Sequence, residues 1–295
     1  MNPRVSLVIP TYKRQADLRE CLRSVFDLES LPYEVIVVDS NSRDGTEELK
    51  NSFPIKFIST EEKRGHPSAM NLGISLANGD IVAFLDDDVV VCKEWLDEIV
   101  EPYADGNVGG VGGRVIPYGR SKNFHVPIGR SDVGKVFPTG LVIGNFDIPL
   151  HRQIKVDSFI GCNMSFRREL LSKIGGFDEN YAGYCYRDET DLCIRIRRLG
   201  HMLIYNPKAI VWHKYKGKHS SQWSYWYVRN HVYFYFKNLF AQHRLGFPMF
   251  LYSMFMPPRE YVLKSGMKIK VEPTLLLNVL KGFYDGYETW KSYAN

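Results

Sequence analysis

Within its first hundred residues the chain sets short apolar runs against stretches with helical spacing, and that alternation admits few folds. VSLVIP (5–10), EVIVVD (34–39), IKFIST (55–60) and DIVAFLD (80–86) read as strands, with helices expected near 14–27, 44–51 and 67–77. Val- and Ile-rich strands separated by helices imply βαβ units and a mainly parallel sheet buried on both faces. Ligands of such sheets bind beyond the carboxyl ends of the strands. Polar residues gather at those ends: Thr11 and Tyr12 after the first strand, Asp39 after the second, Asp86, Asp87 and Asp88 after the fourth.

From about 102 to 166 the pattern loosens into Gly- and Pro-rich turns and irregular strand-like pieces, VGGVGGRVIPY and FIGCNMSF among them. A helix is expected over 167–177, closing on a Gly pair, and a second from Asp188 to Gly200, with acids in its first turn and arginines in its last as the helix dipole prefers. MLIYNP and AIVWH read as two short strands. Beyond them three helices are expected near 220–240, 248–264 and 274–288, none long enough to cross a membrane. In the last, Leu276, Val279, Leu280, Phe283 and Tyr287 form one stripe, which suits either a membrane surface or packing on the preceding domain.

Charge divides the chain unevenly. Residues 214–295 carry 12 Lys and Arg against 4 Asp and Glu, a net of +8, so the rest carries −3. A basic tail rich in Trp, Tyr and Phe suits an anionic membrane surface, with nucleic acid the less favoured partner; a solvated basic face over an aromatic core is the plain alternative. Five scattered cysteines without a CxxC pair imply neither a disulfide framework nor a structural zinc site. No signal peptide is read at the start, so a cytoplasmic location is expected, peripheral at the membrane face if the tail docks there.

The acids at the strand ends carry the chemistry. In FLDDDV, extended geometry would put Asp86 and Asp88 on one side, suited to a metal ion, and Asp87 on the other; a solvated loop is the alternative. Asp39 can accept from a nucleobase imide or a ribose hydroxyl, although Asp also suits the turn DSNSRDG. Lys13, Arg14, Lys63 and Arg64 are candidate phosphate contacts. Asp188, Glu189 and Asp191 open a helix, where acids also serve as caps. Glu189 shares its face with Leu192, Ile196 and Leu199 and is the expected general base, whereas Asp191 has an i,i+4 partner in Arg195. His213, ending AIVW, is either a third metal ligand or structural.

Taken in order, VSLVIPTYKR, VIVVDSNSRDGT, GHPSAMNLGI, IVAFLDDDV, GCNMSFRREL, GGFDE, DETDLCIR and VWH resemble family 2 glycosyltransferases of the GT-A fold, over about residues 4–213. The resemblance implies an α/β architecture with one Rossmann-like sheet and a C-terminal helical appendage. A catalytic domain would span 1–213, with a nucleotide-binding half (1–100) and an acceptor-side half (101–213), and a helical region would span 214–295. It implies a nucleotide diphosphate sugar as donor, a saccharide or lipid-linked acceptor, Mg2+ or Mn2+, and an inverting single displacement. Asp39 matches the base-binding acid, Asp86 and Asp88 the ends of the DxD element, Glu189 the base position and His213 the late metal-site histidine. Pro10, Thr11, Tyr12, Arg14, Arg64, Asn71 and Asp87 fall in the donor-side motifs. Two departures stand out: Asp188-Glu189 where many members have Glu-Asp, which leaves open which carboxylate is the base, and Met70-Asn71 where many have Arg-Asn. A sugar-phosphate nucleotidyltransferase shares the sheet logic but would open on a Gly-rich, Arg-containing loop, which PTYKRQ is not. A saccharide- or nucleotide-binding module without catalysis is the non-enzyme alternative. Oligomeric state, nucleobase and sugar are not written in these motifs.

Overall fold

The computed structural model describes residues 3–120, 132–214, 222–255 and 273–294. In chain order it runs β1 (Val5–Thr11), α1 (Gln15–Phe26), β2 (Glu34–Asp39), β3 (Lys56–Ser59), α2 (His66–Leu76), β4 (Ile81–Leu85), β5 (Val89–Val91), α3 (Trp95–Val100) and β6 (Val108–Pro117). Then come β7 (Lys135–Val136), β8 (Val142–Ile143), β9 (Ile154–Val156), β10 (Asn163–Arg167), α4 (Arg168–Ile174), α5 (Asp188–Arg198) and β11 (Met202–His213). All four early strands form, and β3-β2-β1-β4 pair in parallel. The sheet continues through β10, antiparallel to β4 and β6, and on through β6, β11 and β5, with β9 on β11.

Alternation along β1 divides the core. Leu7 and Ile9 meet Leu18, Cys21, Leu22 and Val25 of α1 on one face, while Val8 meets Ala69 and Met70 of α2 on the other. The expected helix at 44–51 is a 3-10 turn, Thr46–Asn51, entered through Gly45 at φ 85°. MLIYNP and AIVWH form one strand, not two. Its register against β6 slips between Asn206 and Ile210, where Pro207 has no N–H to give the ladder and Asn206 donates instead to the Glu98 carbonyl at 2.8 Å.

The tail forms α6 (Trp223–Tyr235), which runs into a π-helical turn (Phe236–Phe240), then α7 (Phe247–Phe255) and α8 (Pro273–Ala294). The part of the expected 248–264 helix beyond 255 lies outside the described residues. α8 corrects the expected stripe. Val279, Phe283 and Tyr287 turn inward with Trp290 onto the aromatic cluster of α6, whereas Leu280 faces out with Leu277 and Tyr284; Leu276 is outside the described side chains. Gly282 and Gly286 permit the close approach, since a Cβ on Gly286 would stand 2.3 Å from the Arg229 carbonyl oxygen of α6.

A buried ionic network fixes this tail to α5. Lys237 reaches Asp178 at 2.5 Å and Asp191 at 2.9 Å, Tyr233 donates to Asp178 at 2.6 Å, and Asn238 donates to Asp191 at 2.8 Å. Burial works against ionisation of Asp178, but the Lys237 and Tyr233 hydrogen bonds hold its carboxyl below the usual range. A depressed folded-state pKa stabilises above the unfolded value and loses that contribution as pH falls through the folded one. Asp178→Asn is therefore expected to cost about 2 kcal/mol in urea unfolding at pH 7. That difference from wild type should begin to shrink as pH falls below about 4, the unfolded value, and vanish only once pH has passed the lower folded one.

Candidate active site

Register assembles the site. Thr11, Asp39 and Ser59 lie in one row across β1, β2 and β3 at their carboxyl ends, while the antiparallel pairing of β11 with β5 sets His213 opposite Val89, directly after the acid triplet. Asp87 and Asp88 occupy a turn, not extended chain as the sequence reading supposed. The division of the triplet nevertheless emerges. Asp87 accepts from the Thr11 hydroxyl at 2.7 Å, and Asp86, Asp88 and His213 bring one ligand atom each within 4.8 Å of one another.

An octahedral cation with ligands at about 2.1 Å holds neighbouring donor atoms about 3 Å apart and opposite ones about 4 Å apart. His213 Nε2 stands 3.0 Å from Asp88 Oδ1 and 3.9 Å from Asp86 Oδ2, so the group fits one such ion with two hard oxygens and an imidazole. The Asp86 side chain is 32 % exposed against 5 % for Asp88, which places the open side of the cluster at Asp86.

Arg14, expected as a phosphate contact, turns onto the acids: its Nη1 pairs with Asp87 at 3.3 Å and closely with Asp88. Burial pushes the Asp87 carboxyl up to about 7 against the pull of Thr11 and Arg14. For Asp88 burial is outweighed by His213 and Arg14, which hold it below the usual range.

On the donor side a cleft of about 530 Å³ is lined by Tyr12, Lys13, Asn41, Ser42, Arg43 and Asp44. Asp39 is buried beneath it and accepts from the backbone N–H and hydroxyl of Ser42 and, at 2.9 Å, from Ser59. Pro10 sits inside β1 beside Val38. Lys63 lies 4.4 Å over the Tyr12 ring, and Arg64 is exposed, bonded to Ser68. Lys13, Asn41 and Arg43 hold positive φ of 55°, 63° and 52°, as do Cys185 (49°) and Arg187 (82°) just before α5. Left-handed non-glycine backbone costs on the order of 1 kcal/mol per residue and gathers where a loop's shape is under functional constraint.

Two expected site residues are occupied elsewhere. Asn71 spends both ends of its amide on the loop after α4, bonding the backbone of Phe177 twice and Glu179. Asp191 is fully buried, with both oxygens engaged by Arg195, Lys237 and Asn238, so an acceptor hydroxyl has no way to reach it. Asp188 and Glu189 are free of that network. Asp188 Oδ1 accepts from the Glu189 N–H, and its Oδ2 lies 3.3 Å from His66 Nδ1. Burial raises the proton affinity of Glu189 well above the ordinary carboxylate range, and the Asp188 charge adds to it.

His66 is the residue the sequence reading passed over. Its Nε2 stands 3.9 Å from Asp86 while its Nδ1 meets Asp188, so one imidazole spans the gap between the acid triplet and the start of α5. The available signal was GHP at the first turn of α2, within a motif already noted.

The glycosyl transferase family 2 profile matches residues 6–175, and one described as the N-terminal domain of galactosyltransferase matches 146–219. A glucosyl-dolichyl phosphate glucuronosyltransferase of Haloferax volcanii is 27 % identical over 72 % of this chain and 69 % of its own length. A dolichol-phosphate mannosyltransferase of Pyrococcus furiosus is 30 % identical over 52 % of this chain but 43 % of its own. The fold matches S. aureus TarS in complex with UDP-GlcNAc (TM-score 0.64, 19 % identity, 97 % of this chain and 81 % of that one). It also matches the Pyrobaculum calidifontis mannosyltransferase PcManGT in complex with GDP-Man and Mn2+ (0.59, 18 %, 100 % and 89 %).

If the acid–histidine group holds a cation, Mn2+ should raise the melting temperature of the wild type. Asp88→Asn and His213→Ala should each weaken that response by about tenfold or more in apparent affinity; an unchanged titration in both removes the cluster as the metal site. With the profile match covering more than half its length, on a GT-A sheet with acids at the strand ends, this chain belongs to glycosyl transferase family 2 and is a glycosyltransferase.

Proposed function

We propose that the enzyme moves a sugar from a nucleotide diphosphate to a hydroxyl of a saccharide or lipid-linked acceptor by metal-dependent, inverting displacement. The observation that carries this reading is the convergence of Asp86, Asp88 and His213 into one ligand group, joined through His66 to Asp188 beside Glu189. In this reading residues 1–100 bind the donor, 101–213 supply the acceptor side and 214–295 complete it. The lipid-linked option draws support from the two archaeal relatives, whose names specify dolichyl and dolichol phosphate.

Asp39, bonded to Ser42 of the cleft wall, receives base or ribose hydrogen bonds, and the cations about Tyr12 face the phosphates. Asp86, Asp88 and His213 would hold a divalent ion, which would neutralise charge on the departing diphosphate. Glu189 accepts the acceptor hydroxyl proton, the acceptor oxygen bonds to the anomeric carbon, and the opposite sugar–phosphate bond breaks with its electron pair on the diphosphate. Asp188, with both oxygens already engaged by His66 and the Glu189 backbone, orients that carboxylate and raises its basicity.

Glu189→Gln is expected to lower turnover by about 10³ with donor binding retained, the usual scale for a general base. Asp188→Asn is expected to cost less. A larger loss for Asp188→Asn exchanges the two roles, and full turnover in both variants sinks the assignment. A thermal-shift panel of nucleotide sugars with and without Mn2+ identifies the donor, because a bound ligand stabilises the folded chain by mass action. No metal-dependent shift with any of them would count against the reading.

A further inference from the structure

α8 carries two apolar faces, and the aromatic cluster accounts for only one. Outward stand Leu277, Leu280 and Tyr284, exposed by 65, 54 and 64 %, at the i, i+3, i+7 spacing of a single stripe. Exposed Lys281 and Lys291 flank it, with Glu288 the acid at its far end. A large apolar stripe left in water is costly, and the exposed charges of α8 are its two lysines, while its two acids, Asp285 and Glu288, are half-buried. Among the described residues no helix is long and apolar enough to cross a membrane, so any lipid contact is made from the surface.

The position of the stripe matters as much as its composition. Asn278 bonds Ser224 at 3.4 Å and Asp285 accepts from Tyr225 at 2.6 Å, so the stripe-bearing half of α8 lies along the first turn of α6. From that turn Trp223 stacks on Tyr227, which packs at 4.4 Å on Tyr186, two residues before Asp188. The start of α6 thus lies between α8 and Tyr186, three residues before Glu189.

We propose that the outer face of α8 rests on an anionic lipid surface through Leu277, Leu280 and Tyr284, with Lys281 and Lys291 at the headgroups, so that the acceptor side of the site opens towards the membrane. The proposal deepens the lipid-linked reading of the acceptor and rests on it. A short apolar stripe alone binds bilayers weakly, as does basic charge alone, and the two together give reversible, salt-sensitive docking.

Vesicle flotation of the whole chain tests this. Wild type should float with phosphatidylcholine vesicles containing about 30 mol% phosphatidylglycerol at low salt, and far less with phosphatidylcholine alone or at about 0.5 M salt. Leu277→Glu/Leu280→Glu and Lys281→Glu/Lys291→Glu should each cut the bound fraction about tenfold. Their melting temperatures and their Mn2+-dependent hydrolysis of the donor should stay those of wild type, since these side chains are exposed and outside the catalytic machinery. Absence of flotation by wild type, equal flotation with neutral vesicles, or unchanged flotation of the Leu277→Glu/Leu280→Glu variant overturns the proposal. A dimer that the same two substitutions dissociate, without vesicle binding, overturns it in favour of a second copy. Vesicle binding by a protein that hydrolyses no nucleotide sugar leaves the surface standing and removes the proposed function instead.

Discussion

Three carboxylates in succession repel one another, and each one that is buried must be compensated from outside the triplet. Asp86, Asp87 and Asp88 receive that compensation from four separate elements. Thr11 ends β1, Arg14 precedes α1, His66 opens α2 and His213 closes β11. Two of the partners come from the β1–α1 unit and the other two from α2 and β11, so the cluster closes only when β11 has joined the sheet beside the β1–α1 unit. The β5–β11 pairing is the decisive contact, because a slip of one residue would turn the His213 side chain to the opposite face of the strand.

The second half of the site depends on a different set of buried acids. Asp191 of α5 and Asp178 in the loop before that helix share one cation, Lys237, which the tail supplies. Breaking a buried pair costs several times what an exposed one is worth, since the surviving charge is left without water or partner. The tail is thereby held against α5, and α5 presents Glu189. A region whose sequence shows only basic and aromatic character turns out to govern the bearing of the helix that carries the proposed base.

Much of this was legible in one dimension. Apolar runs such as VSLVIP and EVIVVD need burial on both faces, and parallel pairing is what provides it. Asp86, Asp88 and His213 were named together before any geometry, yet the reason offered for the first two, an extended chain, is replaced by a turn. The engagement of Asp191 and Asn71 is not visible in a motif, which records identity and order, while their partners Lys237, Asn238 and the Phe177 backbone lie 46 or more residues away. His66 escaped for the same reason, its two acids being 20 and 122 residues distant. The stripe on α8 was assigned to one face because spacing locates an apolar row without saying which of two rows meets the neighbour, and the glycines at 282 and 286 settle that by admitting the α6 backbone on their side.

Asp188 and Glu189 illustrate how position can matter more than residue type. Both are carboxylates on the first turn of one helix, where the dipole favours negative charge in each equally. Asp188 is shorter, and each of its oxygens has a partner, His66 at 3.3 Å and the Glu189 backbone N–H at 2.9 Å. Glu189 reaches one methylene further and lies half-buried beside Asp188, and burial together with the Asp188 charge raises its proton affinity. A carboxylate with a raised proton affinity is the better base for a hydroxyl, since the proton it takes is held more firmly as the acceptor oxygen attacks. The departure from Glu-Asp to Asp-Glu therefore fits a consistent division: the carboxylate held by His66 sits first, on the metal side, and the more basic one follows it.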